Sequence, residues 1–366
     1  MKLREALSWL TGTLQRNLIP LLEECWERPL TEKERQLFNI LELLQIEKFV
    51  GRPAQRFGRK RHDRRALARA FVAKAVYNHP YTCSTREALR TSRGLRRLCG
   101  YARRGDIPSE SVFSRAFAEF AETGLGDQVH AALVKQWVSP ELVGHISRDA
   151  TAIEGREKPV AKVRPPKPAP RKKGRPRRGE VREPKPETRL QRQVGQSAAE
   201  ALKELPVHCQ VGTKKNSTGY KESWIGYKLH ADVSDGCLPI SVAVTGASVH
   251  DSQVAIPLIK LTSQRVDYLY DLMDAAYDAR PIYAVSRSLG HVPIIDKNGR
   301  GREVSPLAPH EAARYKERTV AERFNSRLKE EFGGGNVMVR GGKKVALHLM
   351  FGVIALFADQ LLKLIS

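Results

Sequence analysis

The chain has 366 residues, enough for two or three domains and a sizeable core. Its 63 Lys and Arg against 40 Asp and Glu give a formal net charge of +23 at pH 7, which points to an extended polyanion, nucleic acid before membrane. Five scattered cysteines (Cys25, Cys83, Cys99, Cys209, Cys237) without a C-x-x-C pair argue against a disulfide framework or a structural zinc site. Reduced thiols in a cytoplasmic protein are expected, and no signal-peptide pattern opens the chain.

Residues 1–135 read as an all-α domain. Apolar residues recur at three- and four-residue intervals over Glu5–Glu24, Glu32–Phe49, Arg64–Tyr77 and Arg86–Leu98. Ser109 is placed to N-cap a further helix over Ser111–Glu122, whose packing face carries Phe113, Ala116, Phe117 and Phe120. Short helices, a turn with Gly100 and Gly105, and basic flanks at Arg93, Arg96, Arg97, Arg103 and Arg104 fit a helix-turn-helix; a plain helical packing domain fits them equally.

Residues 136–366 read as a mixed α/β domain. A short strand over Leu142–Asp149 ends in a carboxylate. A basic, Pro-rich insertion then runs over about 156–196. Twelve Lys and Arg between Arg156 and Arg182, including Arg171, Lys172, Lys173 and Arg175, face only Glu157 and Glu180. With nothing apolar larger than Val it cannot bury a core, so it is expected to be a flexible tether contacting phosphates. Gly174-Arg175-Pro176 is a weak minor-groove signal. Further strands are expected at Trp224–Val233, Leu238–Val249, Val266–Met273 and His291–Asp296, with a helix near Gln253–Leu261. Trp224 is expected to be a core residue rather than a base-stacking one. The apolar stretch Val345–Ile365, broken by His348, Asp359 and Lys363, reads as a buried core helix rather than a membrane span.

Between Tyr315 and Lys329 a single helix would place Tyr315, Arg318, Glu322 and Lys329 within roughly 60° of one another. Val320, Phe324 and Leu328 would face the core. Taken alone, the polar stripe is also what a solvated, salt-bridged helix face looks like. Asp149, Asp274 and Glu322, at strand ends and on a helix edge, form a carboxylate set suited to two Mg²⁺ ions. Asp271, Asp278 and Asp296 are competing candidates, because Asp is common in turns.

The spacing of Tyr315, Arg318, Glu322 and Lys329 resembles the Y-R-E-K signature of bacterial insertion-sequence DDE transposases. Asp274-Ala275-Ala276-Tyr277 resembles that family's second-Asp block, Ser147–Thr151 its first, and Val249–Ser252 its third-strand exit. The resemblance spans roughly residues 60–360. It implies a ribonuclease H-like fold of the retroviral-integrase type, with Asp149, Asp274 and Glu322 as catalytic ligands of two Mg²⁺ (or Mn²⁺). It further implies Tyr315, Arg318 and Lys329 on the terminal DNA backbone, and double-stranded DNA, as transposon ends and target, for partner. Cleavage and strand transfer would run in a dimer or larger synaptic complex. Asp274 and Glu322 are only 48 positions apart, too few for the all-β insertion some members carry. Two other readings are an inactive transposase-derived DNA-binding protein and a structure-selective nuclease on the same fold.

Overall fold

A computed structural model of the chain describes residues 18–26, 28–51, 62–161, 174, 186–215, 218–299, 301 and 303–364. The helix expected over Glu5–Glu24 lies largely outside these residues, which show α1 as Ile19–Trp26. Helices α2 (Glu32–Leu44), α3 (Arg64–Val76), α4 (Thr82–Thr91), α5 (Arg93–Leu98), α6 (Glu110–Thr123) and α7 (Leu125–Trp137) follow. Thr31 and Glu34 cap α2 reciprocally. The stretch expected as one helix over Arg86–Leu98 is two, because the Ser92 side chain accepts from the Leu95 N–H and starts a new helix. Gly100, at φ +90°, turns the chain toward α6.

The remaining chain alternates strands and helices. In order these are β1 (Val143–Glu154), α8 (Arg189–Gly195), α9 (Ala198–Lys203), β2 (Gln210–Lys215), β3 (Lys221–Ser234), β4 (Pro239–Gly246) and α10 (Ser252–Ser263). Then come β5 (Tyr268–Met273), α11 (Arg280–Ser288), β6 (Val292–Ile295), α12 (Pro309–Tyr315), α13 (Thr319–Glu330) and α14 (Gly342–Lys363). The six-stranded sheet has β1 at its centre. β3 pairs with β1 antiparallel and carries β4 and β2 on its other edge; β5 pairs with β1 parallel, and β6 extends beyond β5. Strand β2 was not expected; its Gly212 leaves room for the half-buried Trp224 ring of β3, whose indole N–H donates to the Tyr227 carbonyl at 3.1 Å. Trp224 is therefore a packing residue of the β2–β3 hairpin.

Helix α14 is apolar and long enough to cross a membrane by composition, but 83% of its most apolar window is buried within the protein. It packs against α2, α3, α6, α7 and β4, so one hydrophobic core runs from the helical region through α14 to the sheet. Phe71 of α3 stands at its centre, with ring centroids 4.9 Å from Phe117 and 5.5 Å from Phe351. The polar interruptions of α14 are satisfied: Asp359 accepts from Gln36 and Arg327 at 2.7 Å each, and His348 donates to the Gly333 carbonyl at 2.9 Å.

Three buried histidines couple this core to pH. Burial lowers His130 and His230 to about 4 and His348 to about 3. The unfolded chain takes up these protons near pH 6.5, so stability is complete above that value and is lost as pH falls toward 4. At 1.36 kcal/mol per pH unit, each histidine costs about 2 kcal/mol at pH 5. Urea unfolding at pH 7 and pH 5 should show a drop of several kcal/mol; equal stabilities would contradict the assignment of neutral, buried rings.

Candidate active site

Asp149 lies in the middle of β1, not at its end as expected, because β1 runs five residues further along β3. Successive side chains on a strand point to opposite faces. Arg148 therefore turns to the α10 face and Asp149 to the α13 face. On the first face Arg148, fully buried, grips both oxygens of Asp232 at 2.7 and 2.6 Å and reaches Asp271 at 3.3 Å. Asp232 also accepts from Thr262, and Asp271 from Tyr268 and Ser286. Burial opposes the guanidinium charge, but the two carboxylates outweigh it and raise its pKa. Asp271, a competing ligand candidate in the sequence, is thus a structural carboxylate whose oxygens are used. Asp278 accepts from the Asn298 N–H at 3.1 Å and Asp296 from the Lys297 N–H at 2.9 Å, so both organise loops.

On the second face Asp149 feels the charges of Asp274 and Glu322. The parallel register pairs Ser147 with Leu272, and two residues further Asp149 comes level with Asp274. Asp274 follows the last residue of β5, and its Oδ1 accepts from the Ala276 N–H at 2.9 Å. Asn325 of α13, itself buried, donates to Asp149 Oδ2 at 3.0 Å. Asp149 is raised to about 6, by burial first and then by the negative charges of Asp274 and Glu322; the Ala150 N–H and Arg318 act against the rise. Asp274 is raised too, by burial and by Asp251. Asp251 is neutralised by Lys228 at 2.8 Å. Beneath them Tyr277 is fully buried, its hydroxyl without a hydrogen-bond partner.

The segment holding Glu322 is not one helix. Lys316–Arg318 forms a 3₁₀ turn between α12 and α13, so the single-helix geometry expected for Tyr315 through Lys329 fails at its first turn. The Glu317 carbonyl there accepts from the Ser147 hydroxyl at 3.1 Å, which anchors the break to β1. The polar residues still share a side: the Arg318 guanidinium sits 5.7 Å from the Tyr315 ring and pairs with Glu322 at 2.5 Å. Lys329 is lowered, by burial first, and its field reaches Asp149. Val320, Phe324 and Leu328 are completely buried, as the periodicity expects. Among the described residues no three His, Cys, Asp or Glu side chains converge closely enough to hold a metal ion, and Glu322 is engaged by Arg318. Arg171, Lys172, Lys173 and Arg175 lie outside the described residues, as does most of the basic insertion. Asn325 and Tyr277 were missed as site residues. Asn325 had a signal, a polar residue three positions after Glu322 on a helix face otherwise closing on the core.

A mixed sheet ordered β4-β3-β1-β5-β6, with β3 alone antiparallel to β1 across the centre, is the ribonuclease H-like fold, preceded here by helices. A family model described as Transposase DDE domain matches residues 184–358, and one described as Transposase domain (DUF772) matches residues 25–119. The chain belongs to the DDE transposases of insertion sequences. Asp274 and Glu322 fall inside the first match; Asp149 precedes it. Searches of curated proteins and of solved structures found no match.

Proposed function

We propose that this transposase binds transposon ends and catalyses metal-dependent phosphodiester hydrolysis and strand transfer, with Asp149, Asp274 and Glu322 as its catalytic carboxylates. The observation that carries this reading is the position of Asp149 on the central strand, level with Asp274 and bonded to the Glu322 helix through Asn325. The donor chemistry fits hard divalent cations: these are carboxylate oxygens, and burial and mutual repulsion push Asp149 up to about 6, a state a divalent cation relieves. Two Mg²⁺ (or Mn²⁺) ions bound there would stabilise the attacking and leaving oxygens of an in-line displacement.

The chain's own groups divide the remaining work. With a cation bound, Glu322 would leave Arg318, whose guanidinium would then be free for bidentate phosphate binding; Lys329 would supply a point charge and Tyr315 a contact to the DNA backbone. Asn325 is a positioning residue, fixing the Asp149 carboxylate while its own Oδ1 lies buried without a partner. Residues 1–135 act as an end-recognition domain on a catalytic domain of residues 136–366, and the insertion with Arg171, Lys172, Lys173 and Arg175 binds phosphates non-specifically. The spacing of Tyr315, Arg318, Glu322 and Lys329 supports membership of the Y-R-E-K branch, whose members would work as a dimer or larger assembly on two ends.

One observation favours a non-catalytic DNA-binding relative: the Arg318–Glu322 pair occupies the third carboxylate. An assay separates the two. The full chain, Mg²⁺ and a plasmid carrying the DNA that flanks its gene should yield cuts at the element ends and joined strand-transfer products. Intact DNA under conditions of saturating binding would favour the non-catalytic reading, and nicks without joining would favour a nuclease.

Asn325→Ala should slow cleavage about 10- to 100-fold and raise the Mg²⁺ concentration needed for half-activity, since residues that orient ligands act on metal affinity. A folded variant with an unchanged Mg²⁺ requirement would remove Asn325 from this role.

A further inference from the structure

Between the helical region and the end of β1 lies a cleft of about 460 Å³ whose floor is Phe113 and Phe117 of α6 and Met338 of the loop before α14. Arg156, Arg340 and Lys344 line it, all exposed, with Glu110 as the sole carboxylate in its lining. The rim is held in place by contacts of its own. The Arg340 side chain donates to the Arg156 carbonyl at 3.0 Å, and the Arg156 guanidinium lies 5.9 Å from the Tyr81 ring centroid. The neighbouring acid, Glu157, is consumed elsewhere: it accepts from the Gly341 N–H at the head of α14 and from the Tyr227 hydroxyl. No ion pair among the described residues neutralises Arg156, Arg340 or Lys344.

We infer that this cleft is a second DNA-backbone site, distinct from the carboxylates, which clamps one strand of a duplex between the two family modules. Tyr81 and Phe117 belong to the segment matched by the first module in the chain, Arg340 and Lys344 to that matched by the second, and Arg156 to the strand exit between them. The inference rests on DNA being the partner, as proposed above. Three cations over an apolar floor complement phosphates above sugar rings. Strand β1 and its exit join Asp149 to Arg156 in seven residues, about 23 Å at 3.3 Å each. At 3.4 Å per base pair, a duplex lying at the carboxylates reaches the cleft within about seven base pairs.

The test compares full-length proteins binding a duplex of about 30 base pairs and arbitrary sequence, between about 50 and 200 mM salt. The variant Arg156→Glu/Arg340→Glu/Lys344→Glu should lose at least about tenfold in affinity, and its log–log salt slope should fall by about three. The control Lys48→Glu/Lys135→Glu/Lys203→Glu removes the same net charge from exposed positions outside the cleft and should keep the wild-type slope. A glutamine triple at the three cleft positions, matched to wild type in thermal midpoint, should show the same direction of loss. An unchanged slope, or an equal fall in both glutamate triples, overturns the site. So does a cleft variant that loses binding to a polyglutamate peptide while keeping its affinity for the duplex. Cleavage is not read, so failure of the catalytic reading leaves this outcome intact.

Discussion

Arg148→Met is expected to destabilise the fold by about 3–5 kcal/mol, measured as the loss in free energy of urea unfolding. The guanidinium has no exposed surface, and it joins β1 to Asp232 on β3 and Asp271 beside it on β5. Deleting it leaves two carboxylates in the interior, with only Thr262, Tyr268 and Ser286 to bond them. The cost comes from those stranded charges rather than from the lost attraction, since burying the pair was itself expensive. Replacing all three residues by apolar ones, Arg148→Met with Asp232→Leu and Asp271→Leu, should therefore recover most of the loss. A loss under about 1 kcal/mol in the single variant would show that the network contributes little. Because Arg148 and Asp149 are adjacent on β1, a loosened network also lets the face that carries Asp149 shift.

The second large effect is on chemistry. Asp149→Asn keeps the shape, the Asn325 side chain as a neighbour and the fold, but removes a charge. A metal clamp contributes several kcal/mol to stabilising the transition state. At 1.36 kcal/mol per decade, cleavage should fall at least about a thousandfold while DNA binding holds. Asp274→Asn and Glu322→Gln should behave alike, and doubles should lose little more than singles, as residues acting through one centre do. Near-normal cleavage by Asp149→Asn would sink the assignment.

Much of this architecture is legible in residue order. The strands at β3, β4, β5 and β6 and the helix at α10 lie within a few residues of their expected bounds, because alternation and turn residues mark them. The packing face of α13 follows from three apolar residues at helical spacing. What escaped has non-local causes. The far half of β1, Ala150–Glu154, has little strand character and is held by five paired positions on β3, Gly226 and Tyr227 to His230. The break at Lys316–Arg318 is anchored by the Ser147 hydroxyl, 170 positions away. By residue type alone Asp271 and Asp274 look equivalent; the resemblance of Asp274–Tyr277 to the second-Asp block favours Asp274, and the buried Arg148 gives Asp271 a structural role. The segregation of helices into 1–135 omitted α14, whose apolar surface closes the helical core from the other end of the sequence.

Mn²⁺ placed by anomalous scattering, in crystals of the protein soaked in that ion, tests the central claim most directly. The account predicts peaks between Asp149, Asp274 and Glu322, with Glu322 released from Arg318. Ordered Mn²⁺ elsewhere, with Arg318 still holding Glu322 and no peak at Asp149, would contradict it.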